Sequence, residues 1–148
     1  MNRNASFITV STPDLDAARA FYVDGLGWEP TLDVPDEILF FQVASGVLLG
    51  LFEAEKFAAD LGPEIPPEAP RGLTLSQNVD SPAAVDDVFQ TAIQAGGRAV
   101  KTPRQAAFGG YHCHVADPNG LIWEIAFNPG WHVEETGCVH LGEVPTVE

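Results

Sequence analysis

An α+β fold built from two similar units is what the sequence predicts, on three observations. Short β-rich runs alternate with stretches that carry apolar residues at helical spacing. Each helical stretch directly follows one of the runs. The same order then returns in the second half of the chain. With 148 residues, 45% of them hydrophobic, the chain is long and apolar enough for one core, which excludes wholesale disorder.

The first run is Phe7-Ile8-Thr9-Val10-Ser11. A helix over about residues 14–23 should follow, with Thr12 able to cap it and Pro13 fitting its first turn. Leu15, Ala18, Phe21 and Tyr22 give it one apolar face, and Gly25 and Gly27 end it. Strands at about 38–43 and 47–52 come next, joined by a tight turn at Ser45-Gly46. Glu53, Glu55 and Lys56 then begin a solvated helix.

The second unit starts with a strand at 73–76, and Asp80-Ser81-Pro82 offers a helix start. Val85, Val88, Phe89 and Ile93 form the apolar face of a helix over about 82–95, which Gly96-Gly97 stop. Strands are predicted at about 98–101, 111–116 and 121–127, with Asp117-Pro118-Asn119-Gly120 turning between the last two. Residues 62–70, with four prolines, are expected to be an extended linker. The tail, 130–148, has weak periodicity and is assigned no firm structure.

Seven basic residues against 21 acidic give a formal charge of −14. Such a surface repels phosphates and anionic headgroups, which argues against nucleic-acid and membrane partners and favours a neutral or cationic one. Two cysteines, Cys113 and Cys138, make no disulfide framework. The N-terminal residues lack the apolar stretch of a secretory signal and the longest apolar runs are strand-sized, so a cytoplasmic location is expected.

Three passages carry a family resemblance. They run from Val10-Ser11-Thr12-Pro13-Asp14-Leu15 through Leu26-Gly27-Trp28, from Val79-Asp80-Ser81 through Gly96-Gly97, and over Asp117-Pro118-Asn119-Gly120-Leu121-Ile122-Trp123-Glu124-Ile125. In these the chain resembles the vicinal oxygen chelate superfamily, which holds glyoxalase I, extradiol dioxygenases, and bleomycin- and fosfomycin-resistance proteins. The resemblance implies tandem βαβββ modules whose curled mixed sheets form a shared cup, with one main helix per module. It places a single domain over 1–129, with modules 5–61 and 71–129, and implies a homodimer.

Metal-dependent members hold a divalent ion through one residue from each of four strands. Carried over, those positions are Phe7, Gly50, Thr74 and Glu124. Only Glu124 is a usual metal ligand, Thr74 offers a hydroxyl, and Phe7 and Gly50 offer no donor. The usual metal site therefore looks broken, and no metal or other cofactor is expected.

Strand alternation sets Glu124 apart from the large apolar side chains of Trp123 and Ile125, on the cup face. It also puts His112 and His114 on one face of their strand, with Cys113 on the other as a small core residue. In the fosfomycin-resistance branch the matching strand contacts the ligand from the same alternate positions, which implies that both imidazoles face the cup. Three roles stay open for them: a metal held by a different route with Glu124, a neutral general base, or hydrogen-bonded groups lining a polar cavity. The expected function is metal-free binding of a small organic molecule, with His112, His114, Glu124, Thr74 and Phe7 as contacts. The alternative is a lyase, isomerase or dioxygenase type of enzyme using His112, His114 and Glu124.

Overall fold

The computed structural model describes residues 6–61, 73–106 and 109–142. The first strand, β1, spans Phe7–Thr12. The helix after it is capped by Asp14, whose carboxylate accepts from the Ala17 N–H at 2.8 Å. Thr12, the cap suggested by sequence, instead ends β1 and donates its hydroxyl to the Val10 carbonyl at 3.2 Å. Helix α1 (Leu15–Arg19) continues in π-helical turns over Ala20–Gly25. Together they bury Leu15, Ala18, Phe21 and Tyr22.

Three strands complete the first sheet: β2 (Leu32–Val34), β3 (Ile38–Ala44) and β4 (Val47–Glu53). The order is β1-β4-β3-β2, with β1 parallel to β4 and the rest antiparallel. At three residues, β2 is too short for alternation to reveal it. Helix α2 (Ala54–Leu61) follows where expected, its Glu55 and Lys56 N–H groups donating to the Glu53 carboxylate at 3.1 and 2.9 Å.

The second half repeats the plan. Strand β5 (Thr74–Asn78) leads to α3 (Pro82–Gln94), capped by the Ser81 hydroxyl, and then to β6 (Arg98–Gln105), β7 (Tyr111–Ala116) and β8 (Ile122–Phe127). Their order is β5-β8-β7-β6, with β5 parallel to β8. The architecture is thus the expected α+β pair of βαβββ-like modules with mixed four-stranded sheets. Two further findings depart from the sequence reading. Strand β6 runs four residues beyond the predicted 98–101 and is bulged. The tail forms a hairpin, β9 (Trp131–Val133) with β10 (Val139–Leu141). The expected linker at 62–70 lies outside the described residues.

One apolar core serves both modules. Phe41 and Leu51 from the first sheet, Tyr22 from the first helix, Phe89 from α3, and Cys113 and Ile125 from the second sheet belong to it. Full burial of side chains this size contributes about 1.5–3 kcal/mol each. The two helices approach so closely that a Cβ on Gly25 would overlap Ala95. Polar contacts also join the halves: Asn119 Oδ1 accepts from the Asp14 N–H at 2.7 Å and Asn119 Nδ2 donates to the Asp14 carbonyl at 2.8 Å. The Tyr22 hydroxyl donates to Asp117 at 2.9 Å and accepts from Trp123 Nε1 at 2.9 Å. Since the core claims one face of each sheet, alternation leaves the other face for His112, His114 and Glu124 in the second sheet and Phe7 in the first.

Candidate functional site

Register across the second sheet lines up Ser76, Glu124, His114 and Lys101 as direct neighbours on β5, β8, β7 and β6. His112 stands one pleat along β7 and reaches back to the row. Its Nδ1 lies 2.9 Å from Glu124 Oε1, and its Nε2 lies 2.7 Å from the Lys101 ammonium. An ammonium can only donate, so Nε2 accepts and Nδ1–H donates to Glu124, which sets the His112 ring between a cation and a carboxylate. Ser76 Oγ donates to Glu124 Oε2 at 2.9 Å. The His114 Nε2 sits 3.6 Å from Glu124 Oε1, and its ring meets the His112 ring edge-on at 5.2 Å.

Exposure differs along this cluster. The His112 side chain is 9% exposed, and His114 and Glu124 are 21% and 25% exposed. Burial pulls the Glu124 carboxyl upward, but the hydrogen bonds from His112 and Ser76 and the nearby His114 outweigh it, so its pKa lies below the usual range. Burial lowers the His114 pKa against the pull of Glu124, with His112 and Lys101 adding to the lowering. At neutral pH the site holds an ionised carboxylate beside a neutral, part-exposed imidazole. Cys113, on the core side of β7, has its thiol pushed up to about 11 by burial, which suits a packing role and not a nucleophile.

The structure therefore brings His112, His114 and Glu124 together. Thr74 is an exposed neighbour on β5, opposite Ile122 and one pleat from Ser76. Phe7 belongs to the first sheet, where it is 51% exposed and its ring packs against Phe40 at 5.3 Å. Sequence reasoning missed Ser76 and Lys101. Alternation from Thr74 would have found Ser76. Lys101 was hidden by the bulge in β6: after Arg98–Ala116 and Ala99–Val115, a regular ladder would set Val100 against His114, but the extra residue sets Lys101 there. Near Ser76 a cavity of about 350 Å³ opens between the modules, walled by Ile8, Trp28, Val47, Leu75 and Trp123.

The family model of the Glyoxalase/Bleomycin resistance protein/Dioxygenase superfamily matches residues 5–125. The chain belongs to this superfamily. Among solved members, a glyoxalase-related enzyme from Fulvimarina pelagi is 33% identical, with a TM-score of 0.85 over 95% of this chain and 99% of that one. A lactoylglutathione lyase from Agrobacterium tumefaciens is 26% identical, with a TM-score of 0.64 over 85% of this chain and 94% of its own. No curated protein sequence matches the chain.

The metal positions that the resemblance implies do not suit an ion. Phe7 and Gly50 have no donor, and a Cβ at position 50 would lie 3.0 Å from the Phe40 ring, which already fills that space. His112, His114 and Glu124 offer a different set, with ligand atoms all within 4.8 Å of one another, and could hold a metal ion. Against that set stands Lys101: its ammonium occupies the His112 Nε2 lone pair. Among the described residues, no helix is long and apolar enough to cross a membrane.

Proposed function

We propose that this superfamily member binds a small organic molecule on the open face of its second sheet, without the usual metal. The observation that carries this reading is the contact of Lys101 with His112. An ion on His112 Nε2 would have to displace an ammonium and then sit beside it, an unfavourable charge pairing in a partly buried site. With His112 held between Lys101 and Glu124, the accessible polar groups are the His114 imidazole and the Glu124 carboxylate, with Thr74 beside them. Ser76 also lines a largely apolar cavity of about 350 Å³, walled by Leu75 and Trp123 from the other face of the sheet, whose size and character fit a small-molecule pocket. The −14 charge and the ionised Glu124 favour a neutral or cationic ligand over an anion.

Phe7, exposed and apolar, is proposed as the wall of the site, and a homodimer as the unit that covers it. The domain is proposed to span 1–129, and the working location is the cytoplasm. A second reading, metal-assisted catalysis, rests on the three ligand atoms within 4.8 Å.

Elemental analysis of untagged protein, alone and after Lys101→Met, separates the two. The binding reading expects the wild type to hold no metal that Glu124→Gln removes, and some uptake dependent on Glu124 when Lys101 is removed. One zinc, nickel, manganese or iron per wild-type chain, lost in Glu124→Gln, overturns it. Light scattering at 15.8 kDa, the monomer mass, would remove the homodimer.

A further inference from the structure

The hairpin of β9 and β10 sorts its residues by chemistry. His132 pairs directly with His140, Val133 with Val139, and Trp131 with Leu141. The ladder continues one step further, where the Glu134 N–H donates to the Cys138 carbonyl at 2.9 Å. The chain reverses at a turn closed by the Gly137 N–H on the Glu134 carbonyl at 2.8 Å, with Gly137 at φ +82°, a conformation that glycine adopts without strain. Residues directly opposite in an antiparallel ladder share a face, and successive pairs alternate. One face therefore carries His132, Glu134, Cys138 and His140. The other carries Trp131, Val133, Val139 and Leu141.

The geometry points to a second metal site, for a d-block divalent ion of the zinc class, on the His132–Glu134–Cys138–His140 face. Two imidazoles, a thiol and a carboxylate form the mixed nitrogen–sulfur–oxygen set that such ions take, whereas magnesium and calcium prefer oxygen alone. Opposed residues have Cβ atoms about 4.5–5.5 Å apart, close enough for two imidazoles to reach one ion. Without an ion the Glu134 carboxylate lies 2.8 Å from His140 Nε2 and accepts from the Thr136 hydroxyl at 3.3 Å, so two of the four groups already meet. The His140 and Glu134 side chains are 62% and 53% exposed, so they are free to turn toward an ion. Binding would displace the Cys138 proton to solvent and leave the thiolate on the metal, with both imidazoles neutral. A strongly acidic chain also raises the local concentration of cations. An ion here would tie together the two short strands of a hairpin that, as an isolated pair, is marginal in water.

The test is cobalt(II) titration of the untagged full-length protein, kept reduced with a phosphine, followed by optical absorption. The chain has two cysteines, and Cys113 is buried in the core. A thiolate-to-cobalt charge-transfer band saturating at one ion per chain is expected, absent in Cys138→Ser and retained in Glu124→Gln. His132→Ala and His140→Ala should each weaken binding by more than about tenfold, the lower end of the typical cost of losing a ligand's supporting partner. No band, a band that survives Cys138→Ser, or saturation at one ion per two chains overturns the proposal. Cobalt taken up at His112, His114 and Glu124 would bring no sulfur band, so the outcome at that site is read separately.

Discussion

Asp117 and Glu124 are carboxylates on either side of one turn, and their environments are opposites. Asp117 is 4% exposed and accepts from the Tyr22 hydroxyl and from the Asn119 and Leu121 N–H groups, at 2.9, 2.9 and 2.8 Å. Burial raises its pKa in spite of those hydrogen bonds. Glu124 has comparable partners but keeps a quarter of its side chain in solvent, and its pKa is lowered. Solvent access thus decides which carboxylate stays comfortably charged. Asp117 joins the modules through Tyr22, and Glu124 keeps an ionised edge in solvent.

The largest expected effect of breaking this contrast is on stability at Asp117. Asp117→Ala strands a buried hydroxyl and two N–H groups, and at about 1–3 kcal/mol for each unsatisfied group it should cost about 3 kcal/mol or more in denaturant unfolding. Glu124→Gln should do the reverse, leaving stability within about 1 kcal/mol while weakening a cationic ligand by about 1.5–3 kcal/mol, measurable by calorimetry. Equal stability losses at the two positions would collapse the distinction. Tyr22→Phe, which removes one donor to Asp117 and the acceptor for Trp123, should cost about 1–2 kcal/mol.

The smallest effect is the pH slope of stability. Glu124, lowered in the fold, stabilises above its unfolded pKa and loses that contribution as pH falls through its folded value. His114 is also lowered, so acidification below the ordinary imidazole value of 6.5 favours the unfolded chain. Asp117 is raised, so its contribution runs the other way and improves on acidification. Unfolding midpoints from pH 7 to pH 4 should therefore fall less steeply in a Glu124→Gln, His114→Gln double variant and more steeply in Asp117→Asn.

Legibility followed the regularity of the strands. Strands β7 and β8 are unbroken central strands, so alternation placed His112 and His114 on one face of β7 with Cys113 on the other, and the family resemblance put that face beside Glu124. Strand β6 is an edge strand with two register shifts, and Lys101 could not be placed by counting along it. The tail carried a signal that weak overall periodicity obscured: Trp131-His132-Val133 and Val139-His140-Leu141 each alternate, and Glu135-Thr136-Gly137 lies between them. The capping error at Thr12 has a local cause, since Thr12, Asp14 and Pro13 compete for the same helix start and only Asp14 is two residues clear of β1.

The Asp14–Asn119 contact also bears on the order of events when the chain folds. Among the described residues every strand pairing is internal to one half, so each sheet can assemble from nearby sequence, while this contact joins residues 105 apart. Closing so long a loop is entropically costly until both ends sit on formed structure. The contact should therefore be absent from the rate-limiting transition state. Asn119→Ala is expected to speed unfolding in stopped-flow experiments and leave the refolding rate nearly unchanged. The joint between the halves then acts as a latch on the finished molecule, governing how long it lasts and not how fast it forms.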